Sequence, residues 1–181
     1  MSEDAGGATP VLTGERVTLR PGRPGDVEDL LRIRNEPAVW RWWRAVEPDD
    51  LAADLLGRND DQLLVIELHG QVIGGIQYSE ETEPDYRHAG IDIFVATAAQ
   101  GQGLGSEAIR VLAGYLIHGR GHHRLVIDPA ADNDRAIRCY TAVGFRPVGI
   151  MRRYERGSDG SWHDGLLMDL LADEFEPHQA R

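Results

Sequence analysis

Apolar residues alternate with polar ones, or form short apolar runs, in seven stretches of the chain, and this pattern predicts β-strands. Two of the runs, QLLVIEL and QVIGGIQYS, are separated only by His69 and Gly70, which predicts a hairpin. Two more flank Gly157 to Gly160 near the C-terminal end and predict a second hairpin. The predicted strands cover residues 15–21, 62–68, 71–79, 89–96, 124–129, 145–155 and 161–171.

Four other stretches have the pattern of amphipathic helices, in which apolar residues recur at spacings of three and four. The helix that begins at Leu104 is expected to pack one face on the sheet. The last helix is expected to end at Gly144, as helices commonly do at glycine, and the first has Asp26 as a candidate cap. The predicted helices cover residues 25–36, 49–57, 104–116 and 132–145.

Length and composition indicate a single globular domain, since 181 residues with 41% hydrophobic content can bury an ordinary core. Residues 1–13 are small and polar and are expected to form a disordered tail, so that one domain spans residues 14–176. Neither a membrane-length apolar run nor a signal-peptide pattern occurs, and the expected location is the cytoplasm.

The charge balance narrows the expected partners. A formal net charge of −11 argues against a nucleic-acid-binding surface and favours a cationic partner, although acidity that only maintains solubility explains it equally well. The single cysteine, Cys139, cannot form an internal disulfide and is expected as a small buried residue on a helix. No metal-ligand spacing occurs, and adjacent His122 and His123 are expected at the surface.

The glycine-rich segment AAQGQGLGSEAIR, residues 98–110, joins a predicted strand to a predicted helix. Ser106 stands where a dinucleotide fingerprint needs its third glycine, and the chain has no lysine for a P-loop. A simple turn and a cradle for an anion both remain, because backbone amides at a helix start are unpaired and carry partial positive charge.

Two motifs in order resemble the GCN5-related N-acetyltransferases. QGQGLG, residues 100–105, is similar to the family's Q/R-x-x-G-x-G/A segment, and NDRAIRCYTAVGF, residues 133–145, resembles its next motif. The resemblance covers about residues 15–171. It implies an acetyl-CoA-dependent N-acetyltransferase with an α/β (α+β) fold: a mixed, mostly antiparallel sheet of about seven strands, split at the acetyl-CoA site and flanked by about four helices.

The same resemblance implies where coenzyme A binds. Amides from Gln102 to Gly105 are expected to hold the pyrophosphate without a cationic side chain. The strand before the loop is expected to bulge and to splay from strand 124–129, with amides near Phe94 and Val95 polarising the thioester carbonyl. The predicted cofactor-binding residues are Phe94, Val95, Gln100, Gly101, Gln102, Gly103, Leu104, Gly105, Ser106, Asn133 and Arg135. For Asn133 a plain helix cap is the alternative.

Three residues are candidates for catalysis. Tyr140 matches the family tyrosine and is expected to protonate the departing thiolate, with a core aromatic as the alternative. Asp92 and Asp128 lie in otherwise apolar strands, where uncompensated charge is costly. They are expected to flank the incoming amine, as base or as anionic clamp; the alternatives are an outward-facing residue for Asp92 and a strand end for Asp128.

Further sequence resemblances narrow the range of expected acceptor substrates. GID, DP, NxRAIRCYxxxGF and the tryptophans resemble the aminoglycoside 6'-N-acetyltransferases, which implies substrate binding by Trp42, Trp43, Asp92, Asp128 and, from the acidic loop EETEPD, Asp85. The terminal segments look equally like RimJ-type protein and polyamine acetyltransferases, and a noncatalytic CoA-binding domain is a further alternative. An edge strand in the last hairpin is compatible with a homodimer as well as a monomer.

Overall fold

The computed structural model describes residues 10–43, 46–55, 61–157 and 159–177. The strands are β1 (Leu12–Thr13), β2 (Val17–Pro21), β3 (Gln62–Leu68), β4 (Gln71–Glu81), β5 (His88–Val95), β6 (Arg124–Ile127), β7 (Arg146–Arg156) and β8 (Trp162–Leu171). The helices are α1 (Asp26–Arg34), α2 (Pro37–Trp40), α3 (Pro48–Leu55), α4 (Leu104–Gly114), which continues as a π-helical turn over Tyr115–Gly119, and α5 (Asp134–Val143).

The strands form one mixed sheet in the order β1-β2-β3-β4-β5-β6-β8-β7. Only the β5–β6 pair is parallel, which confirms the predicted mixed and mostly antiparallel sheet. The described residues contain eight strands instead of about seven, because Leu12–Thr13 pair with β2. Pairing thus begins inside the predicted tail of residues 1–13, of which residues 1–9 lie outside the described chain. A fifth helix, the single turn Pro37–Trp40, was not predicted.

Both faces of the sheet are covered by helices. In β3, Leu64 and Ile66 pack with α4 and α5 on one face, whereas Leu63 and Val65 pack with α1 and α3 on the other. Alternate strand residues point to opposite faces, so burial of both faces explains why β3 is apolar without interruption from Leu63 to Ile66. The helix patterns at 104–116 and 132–145 are confirmed, and α5 ends at Gly144.

Asp26 and Arg20 form a buried ion pair that the sequence did not predict. Asp26 is not the cap of α1; Gly25 occupies that position, and Asp26 is buried with an oxygen 2.8 Å from the Arg20 guanidinium. That hydrogen bond lowers the pKa of Asp26 against the opposing effect of burial. Arg20 also lies 2.6 Å from Glu67 on β3, so the cluster ties α1 to the sheet.

His122 is buried, which corrects the prediction of a surface histidine. Its Nε2 lies 2.6 Å from Oε1 of Glu80 on β4, and Arg120 lies 2.9 Å from the other carboxylate oxygen. The segment after α4 is thereby fastened to the sheet. No helix among the described residues has the length and apolar character to cross a membrane.

Candidate active site

The sheet opens between its two parallel strands. β5 and β6 pair only at Ala89–Leu125 and Gly90–Val126, and they separate beyond these residues, as predicted. β6 is two residues shorter than predicted and ends before Asp128, where Pro129 has no N–H to continue a ladder. The expected bulge in β5 is wrong, because its register with β4 is unbroken from Gly74–Val95 to Glu81–His88.

A cavity of about 720 Å³ lies at this opening. Its floor is the C-terminal half of β5 and the segment after β6, and α5 and the end of α1 form two of its walls. The predicted residues that line it are Trp42, Trp43, Asp92, Phe94, Val95, Gln100, Asp128, Asn133, Arg135 and Tyr140. The split of the sheet therefore brings the three catalytic candidates together with five of the eleven predicted cofactor-binding residues.

The glycine loop leads from β5 to the start of α4. Gly101 and Gly103 have φ of 74° and 77°, a conformation that other residues adopt only with strain. Gly103 is the cap residue of α4 and supplies no side chain, so the first amides of the helix have no side-chain cap. A Cβ on Gly105 would lie 3.7 Å from Sγ of Cys139 and 3.8 Å from Cγ2 of Val95. Glycine at 105 thus leaves room between α4 and α5 without relieving a clash.

The polar side chains of this loop are used to hold its shape. Gln100 donates to the carbonyl of Val95 at 2.8 Å and accepts from the Arg135 guanidinium, which links the loop to α5. Gln102 donates to the carbonyl of Ala98 at 2.7 Å. The backbone amides of the loop are consequently the groups left to meet a ligand. An anion fits this set of donors because they converge at the positive end of a helix.

Ser106 and Asn133 have structural contacts within the chain. Oγ of Ser106, in the first turn of α4, lies 3.1 Å from Sγ of Cys139 on α5. Asn133 accepts from the amide of Ala136 at 3.2 Å and is the side-chain cap of α5. The cap alternative for Asn133 is therefore correct, and its cofactor role stays a prediction.

Asp92 is on β5, where its side chain is exposed to the solvent-filled cavity at the split and lies deep within the outline of the protein. Burial and the nearby charge of Asp128 raise its pKa to about 6, and the Gln77 amide, 3.3 Å away, opposes the rise only in part. A carboxylate with this pKa changes its protonation state close to neutral pH.

Asp128 follows the last residue of β6 and faces Asp92 across the split. Burial raises its pKa, whereas the nearby Tyr154 phenol acts in the opposite direction. The Asp128 carboxylate in turn raises the pKa of Tyr154 to about 12. The two carboxylates thus differ in their neighbours: Asp92 accepts a hydrogen bond from the Gln77 amide, and Asp128 lies beside a phenol.

Tyr140 is buried on α5 with its side chain at the cavity wall. Its ring centroid lies 6.5 Å from that of Phe145, so it is also part of the core. Burial, followed by the charges of Cys139, Asp92 and Asp128, raises its pKa above the usual range of a phenol. The hydroxyl therefore stays protonated and can act only as a donor of its proton.

An aromatic wall closes the cavity on the side of α1 and α2. Trp43 packs edge-to-face on Phe94 with 5.1 Å between ring centroids, and the Arg34 guanidinium lies 4.6 Å from the Trp43 ring. Trp42 lies under the Arg41 guanidinium at 4.5 Å. Trp40 is 42% exposed and is not among the lining residues, so the structure distinguishes Trp42 and Trp43 from it.

A second, smaller cavity of about 240 Å³ adjoins the first and shares Trp42, Trp43 and Glu155 with it. Asp132 and Asp159 add two carboxylates to its lining. The two cavities share lining residues and extend from the split of the sheet to the tip of the β7–β8 hairpin, and their combined lining holds six carboxylates and five arginines.

Several predicted residues are not brought to this space. Asp85 is exposed in the loop between β4 and β5 and does not line either cavity. Glu80, from the same acidic segment, is turned to His122 and Arg120. Leu104 is buried in the core at the start of α4, so only its backbone is available to a ligand.

Sequence reasoning missed Arg34, Tyr154 and Glu155 among the residues at or beside the site. Arg34 lies in the helix predicted over residues 25–36, and no spacing distinguishes it from the other arginine of α1. Tyr154 and Glu155 lie on β7, a strand exposed along most of its length, where charge carries no signal of function. Among the described residues, no group of three or more His, Cys, Asp or Glu side chains is arranged to hold a metal.

A mixed sheet that opens at one parallel pair, beside a glycine-rich helix start and paired carboxylates, defines the class of acyl-CoA-dependent N-acyltransferases. The family model of the Acetyltransferase (GNAT) domain matches residues 16–146. The chain therefore belongs to the GNAT acetyltransferases, and it uses acetyl-CoA as the acetyl donor.

The relatives differ in their acceptors. Aminoglycoside N(6')-acetyltransferase type 1 of Klebsiella pneumoniae is 31% identical over 159 residues, which are 77% of this chain and 78% of the relative. Spermidine N(1)-acetyltransferase of Escherichia coli K12 is 23% identical over 165 residues, 88% of each chain. The structure of Mycobacterium smegmatis RimJ in complex with CoA-disulfide superposes with a TM-score of 0.82 at 24% identity, covering 91% of this chain and 88% of the other.

Proposed function

We propose that this acetyltransferase transfers the acetyl group to an amine of an aminoglycoside antibiotic, at the 6' position, and so confers resistance. The observation that carries the proposal is the pair of aspartates, Asp92 and Asp128, at one cavity with an aromatic wall. A polycationic sugar suits this lining, because carboxylates bind its ammonium groups and indole rings pack on its sugar rings. The 31% identity to an aminoglycoside N(6')-acetyltransferase supports the same acceptor.

Acetyl-CoA supplies the activated acetyl group as a thioester. In the proposed site the first amides of α4, from Leu104 onward, bind the pyrophosphate. Gly105 has no side chain and leaves room for the part of coenzyme A next to the pyrophosphate. The edge of β5 beyond Gly90 has no β6 partner, so its backbone groups are available to orient the donor. Amides near Phe94 and Val95 stabilise the negative charge that develops on the carbonyl oxygen.

The two aspartates prepare the amine for attack. The amine arrives as an ammonium ion and must lose a proton before its nitrogen is nucleophilic. Asp92, with a pKa of about 6, accepts this proton more readily than an ordinary aspartate does. Asp128, on the opposite side of the split, holds the ammonium in place. Asp92 is therefore assigned the role of base and Asp128 that of anionic clamp.

Tyr140 completes the reaction as the general acid. Its hydroxyl is protonated throughout the working pH range and lies in the wall of the same cavity. The leaving thiolate takes this proton as the C–S bond breaks, and the attacking nitrogen releases its second proton, which restores the phenol directly or through water as the amide forms. No acyl-enzyme is needed, because burial raises the pKa of the Cys139 thiol and keeps it un-ionised. Cys139→Ala is expected to retain activity.

A spermidine or protein N-terminal amine is the second candidate acceptor, favoured by the spermidine relative and by the superposition on RimJ. The two proposals are separated by release of free thiol from acetyl-CoA with a panel of acceptors. Kanamycin is compared with paromomycin, which has a 6'-hydroxyl, with gentamicin C1, whose 6' amine is methylated, and with spermidine and a ribosomal-protein N-terminal peptide. Turnover of kanamycin but not paromomycin supports the 6' position; turnover only of spermidine or the peptide overturns the aminoglycoside proposal.

Binding measurements separate the acceptor site from the donor site. Asp92→Asn and Asp128→Asn are expected to lower kcat/KM for the acceptor far more than they weaken binding of coenzyme A. Asp85→Asn is the matched control, since it removes one carboxylate from an exposed loop outside the cavity lining. Equal loss of acceptor use and coenzyme A binding in the two site variants would indicate damaged folding and contradict the assignment.

A further inference from the structure

The turn between β1 and β2 lies directly on the first turn of α4. The amide of Gly14 donates to the carbonyl of Val17 at 2.8 Å, which closes the turn. A Cβ on Gly14 would lie 2.8 Å from Oε1 of Glu107 and 2.9 Å from Cγ2 of Val111, so a side chain at position 14 would push against α4. Glycine at this position therefore allows the turn to approach the Glu107 carboxylate closely.

The Glu107 carboxylate accepts three hydrogen bonds from this turn. Its Oε1 accepts from the amides of Arg16 and Val17, at 2.6 Å and 3.1 Å. Its Oε2 accepts from Nε of Arg16 at 2.8 Å. Because the backbone and the side chain of Arg16 are bound to the same carboxylate, the arginine has a fixed position relative to the start of α4.

From this position the Arg16 guanidinium reaches the glycine loop. Its Nη1 donates to the carbonyl of Gln102 at 3.0 Å, and a Cβ on Gly103 would lie 3.4 Å from its Nη2. Arg16 is not among the described residues that line the cavity at the split of the sheet. Its planar guanidinium therefore joins α4 to the loop from outside that cavity.

The hydrogen bond to Gln102 also determines where the next amide points. The peptide between Gln102 and Gly103 is trans, which places its N–H opposite its C=O, so the Gly103 N–H is directed away from Arg16. Within the described part of the chain, this N–H has no backbone acceptor. Glycine adopts positive and negative φ about equally well, so without a restraint on the carbonyl this peptide is free to rotate and to present its oxygen instead.

We propose that Arg16 is a positioning residue for acetyl-CoA: by bridging Glu107 and the Gln102 carbonyl, it keeps the Gly103 amide in the orientation that binds a phosphate oxygen. A carbonyl oxygen turned to the same place would repel the phosphate, because both carry negative charge. Arg16 also neutralises the Glu107 carboxylate, which lies in the first turn of α4 and would otherwise oppose an anion there. The proposal rests on the proposed function in one respect, that the glycine loop binds the pyrophosphate.

The first test measures binding of coenzyme A by isothermal titration calorimetry, without an acceptor. Arg16→Ala is expected to raise the Kd about tenfold, since the charged donor to Gln102 is lost and Glu107 is left without its counter-ion. Arg124→Ala is the matched control, because Nε of Arg124 lies 2.9 Å from Asp169 in a contact of the same kind outside the cavity lining. The control is expected to stay within about twofold of the wild type, and an Arg16→Ala Kd within the same range overturns the proposal.

Nuclear magnetic resonance of the free enzyme tests the orientation of the loop without any ligand. From ¹⁵N relaxation, the order parameter of the Gly103 amide is expected to fall from about 0.85 in the wild type to below about 0.6 in Arg16→Ala. Arg124→Ala should leave this value unchanged, because its lost contact is remote from the loop. A Gly103 amide with the same order parameter and chemical shift in Arg16→Ala and in the wild type overturns the positioning role.

Arg16→Lys separates the bridge from the charge. Lysine keeps the positive charge, but its ammonium does not reproduce the planar fork that reaches Glu107 and Gln102 together. The lysine variant is therefore expected to bind coenzyme A at least about fivefold more weakly than the wild type. In steady-state assays it should raise the KM for acetyl-CoA while kcat stays within about twofold. Full recovery of binding with lysine, or a loss in kcat as large as the change in KM, overturns the bridge.

Gly103→Ala distinguishes failure of this proposal from failure of the proposed function. Weaker binding of coenzyme A in Gly103→Ala but not in Arg16→Ala would retain the loop as the phosphate site and reject the role of Arg16. Unchanged binding in both variants would place the pyrophosphate elsewhere and reject both assignments. Circular dichroism verifies that each variant is folded. Weaker binding in both, with a mobile Gly103 amide in Arg16→Ala, supports the positioning role even if every aminoglycoside in the panel is refused.

Discussion

The raised pKa of Asp92 predicts how activity depends on pH. If the ionised carboxylate is the base, kcat/KM is proportional to its ionised fraction in the free enzyme. With a pKa of about 6 this fraction falls from about 0.9 at pH 7 to about 0.1 at pH 5, a loss of about tenfold. With the ordinary value of 3.8 the fraction would still be about 0.9 at pH 5. The two cases therefore differ about tenfold at one accessible pH.

The assay is acetyl transfer to kanamycin from pH 5 to pH 8 at low acceptor concentration, followed as free thiol. Asp92→Asn is expected to lose about 10²-fold or more at pH 7, since general-base assistance contributes typically 10²- to 10⁴-fold. Its remaining activity should no longer decline through pH 6. A wild-type profile that is flat down to pH 5, or an unchanged midpoint near 6 in Asp92→Asn, would refute the assignment of Asp92 as the base.

The raised pKa of Asp92 also affects stability: rising pH increases the expected activity but lowers the free energy of unfolding. A carboxyl whose folded-state pKa is raised stabilises the fold when protonated and loses that contribution as pH rises through about 6. At pH 8 the charge of Asp92 therefore costs stability, and Asp92→Asn is expected to raise the free energy of unfolding by about 1 kcal/mol, after allowance for solvent in the open cavity. Urea unfolding at pH 8 and pH 5 checks this, because the gain should be about half as large at pH 5, which lies between the unfolded-state pKa of 3.8 and the folded-state pKa of about 6.

Three further outcomes are expected. Gly103→Ala places a side chain at φ 77° and should lower the stability of the loop conformation by about 1–2 kcal/mol. It should therefore raise the KM for acetyl-CoA more than the KM for the acceptor. An unchanged KM for acetyl-CoA would count against the loop as the phosphate site. Tyr140→Phe should lower kcat about 10²-fold with little change in thermal unfolding, and an unaffected kcat would exclude it as the acid. Glu80→Ala should lower the free energy of unfolding by about 2–3 kcal/mol at pH 7, because it removes the partner of buried His122, and equal unfolding curves would contradict that contact.

Local periodicity was sufficient for most of the fold. The alternation in β3 to β5 and the three-and-four spacing of α4 and α5 reflect burial of one face or both, and burial leaves its trace in sequence. β1 and α2 escaped prediction because two residues and a single turn are too short to show a period. The partner of His122 escaped because Glu80 is 42 residues away, and nothing local marks a buried ion pair.

The residues of the candidate site likewise divide into those that the sequence indicated and those that it did not. Asp92 and Asp128 were recognisable because each interrupts an apolar strand that would otherwise be uniform. Tyr154 was not, because a bulge at residues 152–154 resets the alternation of β7, and parity counted along the strand no longer tells where a side chain points. Gly165 could not be recognised from the sequence either. Glycine is needed there because the Tyr154 ring of β7 packs against it, and not because of its own backbone angles.

β5 and β6 are joined by only two residue pairs, which divide the sheet into two parts. A five-stranded half and a three-stranded half meet there along Ala89–Leu125 and Gly90–Val126, and the gap beyond these pairs separates Asp92 on β5 from Asp128 after β6. A donor that spans the gap bridges both halves, so its binding should slow amide exchange at residues 91–95 and raise the melting temperature together.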